Sequence, residues 1–182
     1  MRLLLAVANG IDAVSRRIGQ AAKWLAVALV LMQFAVVVMR YAFSSSFAWA
    51  QEAVIYFHAP LFMLAIGYVY MLDAHVRVDF FWGRWRERPR AWLELAGVAF
   101  FVLPFCALVV WASWGYVALS FRFNEGPMQM GGVPLLPYLK ALILVMVGLL
   151  ALQSVSVACR AIAVIGGAAS ETFPHRQAIG EA

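Results

Sequence analysis

The side chains best suited to chemistry in this sequence are the ionisable ones that lie within long apolar runs. Arg40 and Glu52 flank the short connection between the first two runs, and His58 lies about ten residues into the second. Ionisable groups inside a membrane are costly and are usually paired or functional. A glutamate here could bind a proton or a substrate, and a histidine could ligate haem or relay protons.

The first two ionisable residues are expected to lie at similar depth. Arg40 is about one turn before the end of the first run, and Glu52 is about one turn into the second. We therefore predict an Arg40–Glu52 ion pair, or a shared polar network, that locks this hairpin. In the alternative, Arg40 extends to the headgroups while Glu52 merely lies near its helix start. Glu52 as the coupling carboxylate of a small exchanger is less favoured, because no second acid is expected in the hydrophobic interior.

Histidine chemistry has little support elsewhere in the chain. Haem usually needs a second histidine at matching depth, whereas His75 lies in a predicted loop and His175 in a predicted tail. His58 is therefore expected to be neutral and hydrogen-bonded to a partner helix. His75 and Asp79 form a weak metal-ligand set, and a hydrogen-bonded turn is favoured. With no nucleophile–base constellation or phosphate loop, we predict neither catalysis nor a cofactor.

The composition indicates an integral membrane protein. Of the 182 residues, 65% are hydrophobic and 13% charged, and the mean hydropathy is +0.84. A soluble domain is about a quarter charged and could not cover so apolar a chain with polar surface. The net charge of +5 is carried in short segments beside apolar runs, which favours contact with a lipid bilayer over nucleic acid.

Four apolar runs are long enough to cross a bilayer, since about 20 residues suffice. They cover residues 24–43, 48–72, 91–121 and 137–164, within a transmembrane domain at 23–165. Residues 1–22 have an apolar sector opposite Asp12, Ser15 and Arg16, which predicts an amphipathic interfacial helix before the chain turns into the membrane. Residues 166–182 are expected to form a polar cytoplasmic tail. The predicted fold class is thus all-α integral membrane.

Lysine and arginine are distributed asymmetrically between the two predicted sides. The side with both termini and the 72–90 loop has eleven: Arg2, Arg16, Arg17, Lys23, Arg77, Arg84, Arg86, Arg88, Arg90, Arg160 and Arg176. The other side has three: Arg40, Arg122 and Lys140. Basic residues concentrate on the cytoplasmic side of membrane proteins, so both termini are predicted to be cytoplasmic.

Two motifs resemble a known family. The segment RYAFSSSFAWAQE at residues 40–52 is followed by DAHVRVD at residues 73–79. Together they resemble the small, DctQ-like membrane subunit of a tripartite ATP-independent periplasmic (TRAP) transporter, across residues 24–160. The matching positions are Arg40, Tyr41, Trp49 and Glu52 in the first hairpin and His75, Arg77 and Asp79 in the loop. Gln51 departs from the adjacent pair of acids that many members carry.

The resemblance implies a supporting role in the bacterial inner membrane. A periplasmic substrate-binding protein would capture a small carboxylate, such as a 2-oxo acid, and a large elevator-type subunit would import it with sodium. This chain would scaffold the large subunit and hold no cofactor or sodium itself. Tyr56, His58, Gln153 and Ser154 are the expected partner contacts. Two alternatives remain: a self-sufficient homo-oligomeric transporter using Glu52, and a haem-containing redox subunit.

Overall fold

The computed structural model describes residues 2–72 and 87–167, and in these ranges the chain is helical with short connections. The helices are α1 (Arg2–Ala42), α2 (Ala48–Met71), α3 (Glu87–Gly97), α4 (Leu103–Phe123) and α5 (Leu136–Ile165). A π-helical turn at Val98–Val102 joins α3 to α4, so that Arg88–Phe123 is one continuous span. Four helices in the described ranges are therefore long and apolar enough to cross a membrane, as predicted.

The first helix differs from the prediction. α1 runs without a break for 41 residues, or about 60 Å at 1.5 Å per residue, so the expected turn between residues 22 and 24 does not occur. Nothing in the segment forces a break, because it contains no proline and helix propagation is cooperative. Whether the first 22 residues lie in the headgroup layer stays a prediction.

Proline explains an irregularity in the third span. Pro104 lies at the start of α4 and has no N–H to donate to the carbonyl four residues earlier. The five-residue π-helical turn comes directly before it, and such turns accommodate a locally disturbed hydrogen-bond ladder. By contrast, Pro60 lies inside α2 without interrupting it.

Helix α5 is the centre of the bundle and contacts α1, α2, α3 and α4. α1 and α2 form an antiparallel hairpin beside it. We call the end with the 43–47 and 124–135 connections the loop end, and the end where α1 begins and α5 finishes the terminal end. A small apolar cluster of Ala91, Ala161 and Val164 joins α3 to α5 at the terminal end.

Candidate functional site

The loop end is organised around the carboxylate of Glu52, which is 1% exposed. Its Oε1 accepts the backbone N–H of Gln129 at 2.6 Å, and its Oε2 accepts that of Val133 at 2.7 Å. A Cβ at Gly132 would lie 2.3 Å from the carboxylate, so glycine is the residue that allows this approach. Glu52 on α2 thereby fixes the 124–135 loop.

Two further contacts hold the same loop. The Tyr56 hydroxyl donates to the Val133 carbonyl at 3.1 Å, one turn below Glu52. Lys140 forms a salt bridge with Glu125, which also accepts a 2.6 Å hydrogen bond from Ser120. The hydrogen bond from Lys140, followed by that from Ser120, lowers the pKa of the Glu125 carboxyl. The loop is therefore tied to α2, α4 and α5.

The predicted Arg40–Glu52 ion pair is wrong. Both Glu52 oxygens are engaged by loop amides, and among the described residues Arg40 makes no ion pair with it. The Arg40 side chain is exposed and lines a groove of about 290 Å³ between α1 and α2, together with Gln33 and Gln51. Gln51 and Glu52 differ by one residue, or about 100° around α2, so Glu52 faces away from that groove.

A second polar centre lies at the terminal end, around the buried carboxylate of Asp12. Its Oδ2 accepts a hydrogen bond from the Arg160 guanidinium at 2.6 Å, which forms a salt bridge between α1 and α5. Its Oδ1 accepts from Gln153 and from Ser156, each at 2.7 Å. Ser15 extends the network by donating to the Gln153 side-chain oxygen at 2.6 Å. All five residues are buried.

This centre corrects two expectations. Asp12 and Ser15 were expected on the polar, outward side of an interfacial helix, but both are buried and bonded to α5, while Leu3 is 79% exposed. Gln153 and Ser154 were expected to contact a partner, but both are buried, and Ser154 donates to the Leu150 carbonyl within α5. In lipid there is no hydrophobic drive between helices, because the tails are as apolar as leucine, so buried hydrogen bonds and close packing hold them together.

The sequence contains a pattern of small and polar residues for the α1–α5 interface that was not recognised from the sequence alone. The residues of α1 that are buried at alternating spacings of four and three are Ala8, Asp12, Ser15, Gly19 and Ala22. The polar positions of α5 follow a matching spacing at Gln153, Ser156 and Arg160. Small and polar residues repeated every three to four positions are typical of tightly packed helix interfaces in membranes.

The helices approach very closely at two glycines. A Cβ at Gly19 would lie 2.3 Å from Cγ and 2.5 Å from Cβ of Tyr68, so α1 packs directly against α2 here. A Cβ at Gly67 would lie 3.4 Å from the Leu149 carbonyl oxygen on α5. The Cβ and Cγ atoms of Tyr68 are close to its backbone and cannot move aside unless α2 moves as well. Gly19 therefore sets the separation of α1 and α2.

Of the remaining predicted site residues, three are exposed and three lie outside the described residues. Tyr41 is 80% exposed and Trp49 is 46% exposed. His58 is also exposed, and its ring contacts that of Phe62 with centroids 4.7 Å apart. The loop-motif residues His75, Arg77 and Asp79 lie outside the described residues, so their expected turn stays a prediction. In the described ranges no three His, Cys, Asp or Glu side chains come together as a metal site.

The two polar centres have a common chemical character. Each buried carboxylate accepts hydrogen bonds from groups of this chain: two loop amides for Glu52, and three side chains for Asp12. Such saturated carboxylates stabilise a fold and hold it in one arrangement. The described helices thus hold a loop through Glu52 at one end and are joined by a buried ion pair at the other.

The chain matches a known protein family. Residues 11–164 match the family described as "Tripartite ATP-independent periplasmic transporters, DctQ component". Neither the curated proteins nor the solved structures gave a significant match. The match covers most of the chain and overlaps all four described helices that are long enough to span a membrane. This multi-pass membrane protein therefore belongs to the DctQ family, the small permease component of TRAP transporters.

Proposed function

We propose that this chain is the non-catalytic subunit that scaffolds the large elevator-type subunit of a sodium-coupled TRAP transporter. The carboxylate substrate, such as a 2-oxo acid, is delivered by a periplasmic binding protein and moved by the large subunit. The observation that carries the proposal is the family match over residues 11–164. Sodium coupling is assigned to the large subunit.

The use of the buried charges supports a scaffold over a self-sufficient transporter. A coupling carboxylate must release its partners to bind an ion or a proton during each cycle. Glu52 instead holds two backbone amides, and releasing them would detach the 124–135 loop. Asp12 likewise joins α1 to α5. Both carboxylates therefore stabilise the helix bundle through hydrogen bonds within this chain.

The proposed orientation places the terminal end in the cytoplasm and the loop end in the periplasm. Eleven basic residues against three favour this arrangement. The fixed 124–135 loop would then face the side from which the binding protein delivers its substrate. The protein is proposed to lie in the bacterial inner membrane.

The test is carboxylate uptake by proteoliposomes with an inward sodium gradient. Uptake of labelled 2-oxo acids and other small carboxylates is expected when this chain, the large subunit and the binding protein are all present. Liposomes with this chain alone should take up none, and omission of this chain should reduce uptake severely. Sodium-driven uptake by this chain alone, lost in Glu52→Gln, would establish the self-sufficient transporter instead.

A further inference from the structure

Two polar side chains lie near the middle of long apolar runs, and neither has a hydrogen-bond partner among the described residues. Gln33 on α1 and His58 on α2 are both exposed. Among the described residues, no hydrogen bond of either side chain is found, and the contact of His58 is with the Phe62 ring. In hydrocarbon there is no water to hydrogen-bond such groups. They therefore need a partner that the described part of this chain does not provide.

The two side chains lie at similar depth on neighbouring helices. Gln33 is nine residues before the end of α1 at Ala42, and His58 is ten residues after the start of α2 at Ala48. The two helices form an antiparallel hairpin, so equal distances from the connection give similar depth. Both positions are about 15 Å from the loop end, half of a typical hydrocarbon thickness.

Polar groups nearer the loop end continue the same surface. Gln33 lines the groove between α1 and α2 together with Arg40 and Gln51. His58 is seven residues after Gln51, which places the two on the same side of α2. We call the surface formed by Gln33, Arg40, Gln51 and His58 the hairpin face.

The hairpin face points away from α5. Gly67, which packs against the Leu149 carbonyl on α5, is nine residues after His58 and thus about 180° around α2 from it. The exposed side of α4 is different in character, with Phe105, Leu108 and Trp111 at 52%, 59% and 79% exposure. Lipid tails satisfy an apolar side of this kind, whereas they cannot satisfy the hairpin face.

We propose that the hairpin face is the surface on which the large membrane subunit packs, while the exposed side of α4 faces lipid. This assignment rests on the proposed scaffold function and adds the surface that performs it. The occupant is a transmembrane helix of the large subunit that presents hydrogen-bonding groups to Gln33 and His58 at mid-membrane depth. Nearer the loop end, it offers an acceptor to the guanidinium of Arg40.

The test is photo-crosslinking in the complex. A benzophenone amino acid is placed at position 58 or, as a control at matched depth, at position 111, which is twelve residues before the end of α4 at Phe123. Each tagged full-length chain is co-expressed with the large subunit, irradiated in native membranes and purified. We expect an adduct with the large subunit from position 58 and none from position 111.

The outcomes separate the two proposals. An adduct from position 111 alone overturns the surface assignment and leaves the scaffold function intact. An adduct from position 58 to a second copy of this chain, or to lipid only, also overturns the assignment. If the large subunit does not co-purify with the unmodified chain, the scaffold function fails and the assignment fails with it.

A paired substitution gives a second readout. Because Gln33 and His58 have no partner within the described chain, the Gln33→Leu/His58→Leu variant should unfold at the same temperature as the parent or higher. Its affinity for the large subunit should fall by about tenfold, since two interhelical hydrogen bonds are lost. The control Trp111→Leu/Trp114→Leu should keep the parent affinity. Equal losses in both variants would overturn the assignment.

Discussion

Replacement of Asp12 by alanine should expose how strongly the terminal end depends on one carboxylate. The substitution removes the acceptor of three hydrogen bonds, from Arg160, Gln153 and Ser156. Arg160 keeps its 2.7 Å bond to Asn9, but its guanidinium stays in a position where its side chain is 7% exposed. The variant thus removes the carboxylate that is paired with this buried positive charge.

The expected loss of unfolding free energy depends on whether one or both partners of the buried ion pair are removed. Removing one partner of a buried pair typically costs about 3–5 kcal/mol, mostly because the other charge is left uncompensated. Replacing both partners by apolar residues is often close to neutral. We therefore expect Asp12→Ala to cost about 4 kcal/mol, and Asp12→Leu/Arg160→Leu to cost clearly less than the two single changes together.

The measurement is unfolding in mixed micelles, followed by the fluorescence of the seven tryptophans. Arg17→Ala is the matched control, because Arg17 lies on the same helix, carries a charge and is exposed. Its free energy of unfolding should change by less than about 0.5 kcal/mol. Exchange of the charges in Asp12→Arg/Arg160→Asp should recover part of the loss.

Two results would refute this reasoning. If Asp12→Ala costs no more than the Arg17 control, the carboxylate does not join α1 to α5. If the double variant shows the simple sum of the two single losses, Asp12 and Arg160 do not interact. Either result would mean that the N-terminal half of α1 does not pack on α5 as described.

Three further predictions concern the loop end and the helix packing. Glu52→Leu leaves two loop amides without an acceptor and should destabilise the loop by about 2–4 kcal/mol, which would be measured as faster proteolysis within residues 124–135. The proteolysis rate of Glu52→Gln should lie between those of Glu52→Leu and the parent. Gly19→Leu should cost about 1–3 kcal/mol in micelle unfolding by forcing α1 from the tyrosine packed against it, whereas Gly10→Leu, with open space at that position, should not. The lowered pKa of Glu125 means that its bond to Lys140 stabilises the protein above the ordinary carboxyl value of 4.5. That contribution should be lost as the pH falls below 4.5 through the folded-state pKa, and Glu125→Gln should remove this pH dependence of unfolding.

The spans were predictable because a bilayer imposes a length and a composition. The expected run at 48–72 ends one residue after α2 does. The expected run at 137–164 is one residue shorter than α5 at each end. The run at 91–121 lies within Arg88–Phe123. The start of the first helix was harder to predict, because the change in composition near residue 23 indicated two segments. In the structure, the helical hydrogen bonding of α1 continues through this position.

The polar contacts were less predictable, and the error at Arg40 shows why. The short connection predicts similar depth for Arg40 and Glu52, but depth does not determine which way a side chain points around its helix. Glu52 points toward the 124–135 loop, whose amide groups are about 80 residues away in the sequence. A backbone donor carries no mark in a residue pattern, so this partner could not be inferred from residue types.

The sequence by itself determined the class of protein, the number of long apolar spans and the family, because these depend on composition, run length and local motifs. Only the tertiary structure decided which charges are paired. Asp12 and Arg160 are separated by 148 residues, and they meet because α1 continues past the end of α2 and lies along α5. That contact depends on the rotation and length of two packed helices, which packing fixes and local sequence does not.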